Sequence, residues 1–159
     1  MVHLTVLAVG KLKDRWMSDG VAEYLKRMNA YCKPEIIEID EHRLPQNPSA
    51  ALIEKGLEAE GEAILARIPP RAHVIALCIE GKQRSSEELA EELGHISGEA
   101  SQVVFVIGSS HGLAEKVKTR ADGRLSLSQM TFPHQLTRLV LCEQLYRALS
   151  INAGGKYHK

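Results

Sequence analysis

A glycine-bounded turn follows one of the most apolar stretches of the sequence. Residues 103–113 read VVFVIGSSHGL, and the five residues from Gly108 to Gly112 fit the pattern G-x-S-x-G. That pattern is typical of the nucleophile elbow of serine hydrolases, where a turn between a strand and a helix exposes the serine hydroxyl. Ser110 is therefore a candidate nucleophile.

Ser110 would need a base and an orienting acid, and in hydrolases of this type an Asp or Glu and then a His follow the serine. Asp122 as the acid and His134 or His158 as the base would occur in that order. However, no HGGG-type oxyanion segment lies upstream, and 159 residues leave little room for a substrate-binding cap. We keep the serine hydrolase as an alternative, which predicts labelling of Ser110 by a fluorophosphonate probe.

The glycines of the turn indicate a second use. Gly108 and Gly112 permit positive φ and a close approach of a ligand to the main chain. A turn at the carboxyl end of a parallel strand is also where α/β proteins bind small molecules. The spacing matches neither a Walker A loop nor a dinucleotide fingerprint. From this motif alone, a small-molecule site and a plain strand-to-helix turn are both open.

The cysteines and histidines give no metal or redox motif. Cys32, Cys78 and Cys142 are widely separated, and the seven histidines form no HExxH or HxH pattern. We therefore expect no metal site. Cys78 lies inside an apolar stretch and is interpreted as a small core residue.

The charge balance and the hydropathy restrict the class of protein. Lysine plus arginine equals aspartate plus glutamate at 20 each, which disfavours a general nucleic-acid binder but leaves room for local basic patches. No apolar run approaches the ~20 residues of a membrane span. At the N-terminus the apolar run precedes the basic residues, the reverse of a secretory signal. We expect a cytoplasmic protein.

Apolar strands alternate with helices along the whole chain. Two of the strands are apolar on both faces, which is typical of a parallel sheet covered by helices on both sides. We therefore predict one α/β domain over residues 1–159. The predicted strands cover residues 3–10, 35–39, 73–81 and 103–108, with a further strand and loop over 123–132, and the predicted helices cover residues 14–31, 50–68, 85–96, 113–120 and 133–150.

Local signals mark the helix ends. Ser49 is the predicted N-cap of the second helix, and Ser85 with Glu88 forms a capping box at the start of the third. Pro133 is predicted at the first position of the last helix. That helix carries apolar residues on more than one stripe: Leu136, Leu139, Val140, Leu141, Leu145, Tyr146 and Leu149. We expect one side to pack on the sheet and the other on a second subunit, with a central helix of the monomer as the alternative.

Four segments together resemble a known family along nearly the whole chain. They are LAVGKLKD near the start, FVIGSSHGL, LSLSQMTFPHQLTRLVLCEQLYRA and the C-terminal YHK. The sequence resembles the RlmH family of 23S rRNA (pseudouridine-N3)-methyltransferases in the SPOUT superfamily. Most members of that family have a second glycine directly after the first glycine of the turn, where this chain has Ser109.

The resemblance implies a fold, an assembly and a cofactor. The fold would be an α/β domain with a C-terminal trefoil knot in roughly residues 73–150, an exception to the rule that chains are unknotted. The protein would be a homodimer through its C-terminal helix, and the methyl donor would be S-adenosylmethionine. The implied cofactor contacts fall on Leu77, Gly108, Leu127, Ser128, Gln129, Met130, Thr131 and Phe132.

The implied reaction methylates N3 of a pseudouridine in helix 69 of 23S rRNA, on the assembled 70S ribosome. N3 is an imide nitrogen that must lose its proton, so the site needs a base and an orienting group. His134 and His158 are candidate bases, with His158 acting near N3. Arg138 can stabilise the negative charge of the deprotonated imide or bind phosphate, and Tyr157 can stack on RNA.

The zero net charge agrees with recognition of a preassembled ribosomal surface, because such an enzyme gains little from non-specific phosphate binding. Two further alternatives come from the resemblance. One is a ribosome-binding factor that binds the cofactor without turnover. The other is a SPOUT methyltransferase that acts on another RNA, such as tRNA.

Overall fold

Five strands and five helices alternate along the chain in a computed structural model that describes all residues from Met1 to Lys159. The strands are β1 (His3–Val9), β2 (Lys33–Ile39), β3 (His73–Lys82), β4 (Gln102–Ile107) and β5 (Gly123–Leu125), and the helices are α1 (Arg15–Met28), α2 (Ala50–Arg67), α3 (Ser86–Glu99), α4 (Glu115–Arg120) and α5 (His134–Asn152). The predicted alternation is confirmed.

The strands form one parallel sheet in the order β2-β1-β4-β3-β5. β1 lies inside the sheet and pairs in register with β2, from His3 opposite Lys33 to Val9 opposite Ile39. Because all the strands are parallel, their carboxyl ends lie at one edge of the sheet. The loops that follow the strands therefore start close together.

Helices cover both faces of the sheet. On one face α1, α3 and α5 pack over a core that includes Phe105 and Leu141. On the other face α2 and α4 pack over a second core that includes Ile64, Val106 and Val117. Neighbouring residues of β4 thus serve opposite cores, as expected of a strand that is apolar on both faces. The predicted α/β class is confirmed.

The helix ends follow the predicted caps, with one shift. The Ser49 hydroxyl accepts the backbone N–H three residues later at 3.2 Å. Ser85 and Glu88 exchange side-chain-to-backbone hydrogen bonds of 2.7 and 3.0 Å, which completes the capping box. Pro133 is the N-cap rather than the first helical residue, because its ψ of 138° is extended. The predicted position of Pro133 is therefore wrong by one residue.

α5 is apolar around most of its circumference. Leu141 and Leu145 are completely buried against α1 and α3, whereas Leu136, Leu139 and Val140 are only half-buried. One side of the helix thus belongs to the core, and apolar surface is left over on the other. None of the five helices combines the length and the apolarity that crossing a membrane requires.

β5 starts at Gly123 and is followed by a loop, as predicted for residues 123–132, and it meets β3 in an unusual way. Leu125 pairs with both Leu77 and Lys82, so the residues between these two arch away from the ladder. The β3 and β5 segments pass very close to each other at this point, because a Cβ on Gly81 would lie 2.6 Å from the carbonyl carbon of Leu125. Only glycine fits there without moving the backbone.

Replacing Gly81 with alanine is expected to destabilise the fold by about 2 kcal/mol or more, because the added methyl group meets backbone rather than a movable side chain. Gly98 in α3 is the matched control, since a Cβ there would meet nothing within 4 Å. Urea unfolding followed by circular dichroism compares the two variants. An unchanged midpoint for Gly81→Ala would contradict the close passage of the two segments.

Candidate functional site

The last part of β3 and the loops after β4 and β5 line a cavity of about 720 Å³, here named the first cavity. Eight of its 20 lining residues are hydrophobic, so it offers apolar walls together with polar groups. Of the residues implied to contact a cofactor, the cavity is lined by Leu77, Gly108, Leu127, Ser128, Met130, Thr131 and Phe132. Gln129 is exposed and does not line it.

The turn from Gly108 to Gly112 forms one wall of the first cavity. Gly112 has a φ of +93°, and its N–H donates to the Ser109 carbonyl at 2.9 Å. A Cβ on Gly108 would lie 2.2 Å from the Gly112 carbonyl oxygen, so the turn closes only with glycine. Ser110 is exposed and has no hydrogen bond to a histidine. The turn has the geometry of a binding loop, and no Ser–His pair forms.

Polar contacts shape the loop between β5 and α5. The Ser126 hydroxyl donates to the Ser128 carbonyl at 3.1 Å, and the Ser128 hydroxyl accepts the Met130 N–H at 3.0 Å. Met130 and Ile79, which lies in the arch of β3, both line the first cavity and are each 73% exposed. Exposed apolar side chains at a cavity can stack on the faces of a planar ring.

His134 is the first residue of α5 and lines the first cavity. Its Nε2 lies 3.8 Å from the position that a Cβ would take on Gly10, which follows β1 with a φ of +91°. The Oε2 of Glu41 lies 3.6 Å from the same position. An imidazole and a carboxylate therefore flank one glycine at the edge of the sheet.

Arg138 lies one helical turn after His134 and is only 2% exposed. Its guanidinium donates to Glu38 Oε2 at 2.6 Å and to the Gly10 carbonyl at 2.9 Å, and its Nε has no partner. These bonds tie α5 to the ends of β1 and β2. Arg138 does not line the first cavity. Within one chain its charge is directed to the sheet, where it holds Gly10 in place.

The C-terminal tail lies against α5 and α3 of its own chain. The Tyr157 hydroxyl donates to Glu143 at 3.0 Å, and the His158 imidazole meets Glu87 at 2.7 Å and Arg147 at 3.2 Å. Burial, with hydrogen bonds to Tyr24 and Glu143, raises the pKa of Tyr157 to about 12, so this phenol stays neutral. Neither Tyr157 nor His158 lines the first cavity.

A second cavity of about 790 Å³ lies where β1 and β2 end, and sequence reasoning missed it. Its walls come from Gly10, from residues 40–44 directly after β2, and from α2. Ser109 and His111 line both cavities. α/β proteins bind small molecules at the carboxyl ends of parallel strands, and residues 40–44 follow such an end. Their position in the sequence is therefore a signal of the same kind as that of the glycine turn.

Glu60 places a buried carboxylate in the wall of the second cavity. It lies in α2, is 5% exposed, and accepts the His42 backbone N–H at 2.9 Å. Burial raises the pKa of the Glu60 carboxyl, and hydrogen bonds from the His42 amide and the Ser109 side chain offset part of that rise. Glu60 thus joins α2, the segment after β2 and the glycine turn.

Cys78 is not the core residue that its apolar neighbours suggested. It is half-buried and lines the first cavity, because it lies in the arch where β3 leaves the ladder. Cys32 and Cys142 are buried, which raises the pKa of their thiols to about 11 and about 12. No three His, Cys, Asp or Glu side chains form a group that could hold a metal ion.

A family model described as "Predicted SPOUT methyltransferase" matches residues 2–158 of the sequence. This chain belongs to the SPOUT methyltransferase family. Proteins named "Ribosomal RNA large subunit methyltransferase H" from Pelotomaculum thermopropionicum, Exiguobacterium sp. and Bacillus thuringiensis are 52%, 49% and 49% identical to this SPOUT chain. Each alignment covers 99% of this chain and at least 99% of the relative.

A solved structure shares the fold of this SPOUT chain. It is described as that of "a probable methylase family protein" from Haemophilus influenzae, and it superposes with a TM-score of 0.53. The match covers 99% of this chain and 70% of the other, at 12% sequence identity. The same fold thus occurs in a protein with a very different sequence.

Replacing Arg138 with alanine is expected to lower the free energy of unfolding by about 2–3 kcal/mol, because two charge-assisted hydrogen bonds of a buried group are lost. Arg15→Ala is the matched control, since both side chains of the Arg15–Asp19 pair are largely exposed and such pairs contribute little. Urea unfolding measures both. Equal stabilities of the two variants would contradict the role of Arg138 in holding the sheet edge.

Proposed function

We propose that this protein transfers a methyl group from S-adenosylmethionine to N3 of a pseudouridine in helix 69 of 23S rRNA, within the assembled 70S ribosome. The observation that carries the proposal is the identity of about half of all positions, over the whole chain, with proteins named as large-subunit rRNA methyltransferases. The first cavity adds support, because most of the implied cofactor residues line it. A ribosomal substrate places the protein in the cytoplasm.

The residues of the first cavity fit the cofactor chemically. Leu77, Leu127 and Phe132 offer apolar surface for the faces of adenine, and main-chain N–H and C=O groups of the β5–α5 loop can bind its polar edge. Gly108 allows the ligand to approach the main chain. When bound, S-adenosylmethionine supplies an electrophilic methyl group. A micromolar dissociation constant needs about 8 kcal/mol, a reasonable value for such a cavity.

The chain must also orient N3 and assist the loss of its proton. Of the four candidate side chains, His134 alone lines the first cavity of its own chain. We propose that the His134 imidazole accepts the N3 proton, since histidine is the most frequent general base in enzymes. Arg138 is proposed to act indirectly, because its bond to Gly10 holds the sheet edge beside His134.

The trefoil knot in residues 73–150 is a further part of the proposal. Its support is the tight passage at Gly81 and Leu125, where two segments of this region touch through their backbones. β5 is also the edge strand beside β3, so the chain returns to β3 late in the sequence. The knot would belong to a single domain over residues 1–159.

We propose a homodimer through α5, in which the tail of each protomer completes the site of the other. The half-buried Leu136 and Val140 supply an apolar surface for the partner. Tyr157 and His158 rest on their own α5 and α3, away from the lining of their own first cavity. In the dimer Tyr157 would stack on RNA and His158 would act near N3.

N-ethylmaleimide is expected to modify Cys78 alone in the native protein, because Cys32 and Cys142 are buried. Mildly alkaline pH is needed, since burial also raises the pKa of Cys78. Saturating S-adenosylhomocysteine should protect Cys78, which lines the first cavity. Intact mass spectrometry counts the adducts, and Cys78→Ser is the control that removes labelling. Unchanged labelling of Cys78 in the presence of S-adenosylhomocysteine would contradict the placement of the cofactor in the first cavity.

Ribosomes that lack the modification test the reaction itself. With S-adenosylmethionine carrying a labelled methyl group, digestion of 23S rRNA should yield labelled 3-methylpseudouridine. His158→Ala is expected to lower the rate by about 100-fold or more without weakening S-adenosylhomocysteine binding, because the site loses a group that orients the acceptor base at N3. The control is His95→Ala, at an exposed position of α3.

Two outcomes would contradict these expectations. Methylation of tRNA in place of ribosomes, or cofactor binding with no methyl transfer at all, would reject the ribosomal substrate. Wild-type turnover by His158→Ala would reject the role of the tail while leaving the reaction in place.

A further inference from the structure

The second cavity is as large as the first and much more polar. It measures about 790 Å³ against about 720 Å³, and only three of its 14 lining residues are hydrophobic. Its lining includes side chains of both charges, Lys11, Lys13 and Arg43 beside Asp40 and Glu41. A cavity of this size and polarity suits a polar, nucleotide-sized ligand rather than an apolar one.

The two cavities are neighbours and share part of the glycine turn. Ser109 and His111 line both of them. Gly10 lines the second cavity. The Nε2 of His134, which lines the first cavity, lies 3.8 Å from the position that a Cβ would take on Gly10. Two ligands that fill the cavities together would therefore be neighbours beside His134 and Gly10. Methyl transfer requires the donor and the acceptor to be neighbours.

The fold holds the second cavity in a defined shape. The buried Glu60 carboxylate accepts the His42 N–H at 2.9 Å, which fixes the segment after β2 against α2. Gly56 provides the space for that segment, because a Cβ there would lie 3.1 Å from the His42 ring. On the opposite side, Arg138 fixes Gly10 through its carbonyl oxygen at 2.9 Å.

The charged groups match the parts of a nucleotide. Lys11, Lys13 and Arg43 are exposed at this cavity, where they can bind the phosphates on either side of an extruded nucleotide. A carboxylate such as that of Glu41 accepts hydrogen bonds, so it suits a base edge that presents N–H groups. Pseudouridine presents two such groups, at N1 and N3. The Glu41 carboxylate and the His134 imidazole both lie within 4 Å of the position that a Cβ would take on Gly10, so a base bound beside Gly10 can reach both.

We propose that the second cavity receives the acceptor nucleotide after it is flipped out of the RNA, with Glu41 accepting a base N–H and with Lys11, Lys13 and Arg43 binding the flanking phosphates. This proposal rests on the proposed function, because it assumes that the first cavity holds the methyl donor. Extrusion of the target base is the usual way in which enzymes reach a nucleobase in structured nucleic acid.

Nucleotide titration of the full-length protein tests the site directly. The ¹⁵N-labelled protein is first saturated with S-adenosylhomocysteine, so that the first cavity is closed to the probe. Pseudouridine 5′-monophosphate is then expected to shift the amides of Gly10, Glu41, His42 and Gly56 saturably, while those of Leu127 and Met130 stay in place. 1,3-Dimethylpseudouridine 5′-monophosphate is the control probe, since its base presents no N–H group, and it should bind at least five-fold more weakly.

Variants of the second cavity give the second measurement. Glu41→Gln and Lys13→Ala should each weaken the nucleotide by at least five-fold and raise KM for ribosomes by a similar factor, with unchanged binding of S-adenosylhomocysteine. Lys33→Ala is the matched control, because Lys33 is exposed at the opposite, amino end of β2. It should leave the nucleotide affinity and KM unchanged.

The outcomes separate this proposal from the proposed function. Amide shifts outside the second cavity, or wild-type KM and nucleotide affinity in both cavity variants, would overturn the acceptor site even if ribosomes are methylated. Saturable shifts in the second cavity that both variants weaken would support it. If those shifts occur but no ribosome is methylated, the nucleotide site stands and the proposed ribosomal substrate falls.

Discussion

All five strands run in one direction, and this constraint decides where every functional loop lies. The inner strands are buried on both faces, so side chains for chemistry can be presented only where the strands end. Both cavities occupy that edge, one on the side of β3 and β5 and the other on the side of β2. The Arg138 guanidinium then ties α5 to the same edge through Gly10 and Glu38.

Features that depend on local sequence were predictable from it. Caps at Ser49 and Ser85 and the alternating elements arise from short-range hydrogen bonding and periodicity, and the structure has them. The order of the strands depends on long-range packing and could not be derived in that way. Arg138 illustrates the difference: its position one turn after His134 is a matter of helix geometry, whereas its partner Glu38 lies 100 residues earlier.

The candidate site was predictable in part, for a related reason. The glycine turn could be recognised as a binding loop, but G-x-S-x-G does not tell whether a base stands beside Ser110, which is a question of tertiary structure. The apolar neighbours of Cys78 predict a position in the core. The arch in β3 that exposes Cys78 cannot be predicted from the local sequence. The composition of residues 40–44 is that of an exposed charged loop, so it does not by itself predict a cavity wall. Their position beside α2 depends on tertiary structure.

The common wall formed by Ser109 and His111 has a thermodynamic consequence. A ligand that displaces the turn from one side alters the affinity on the other side, and linkage requires the effect to be equal in both directions. A coupling free energy of about 1.4 kcal/mol would change each dissociation constant tenfold. The backbones of Gly108 and Gly112 pack closely, because a Cβ on Gly108 would lie 2.2 Å from the Gly112 carbonyl oxygen, so a displacement of one end of the turn moves the other. The same backbone turn would therefore couple the affinities of two ligands bound on its two sides.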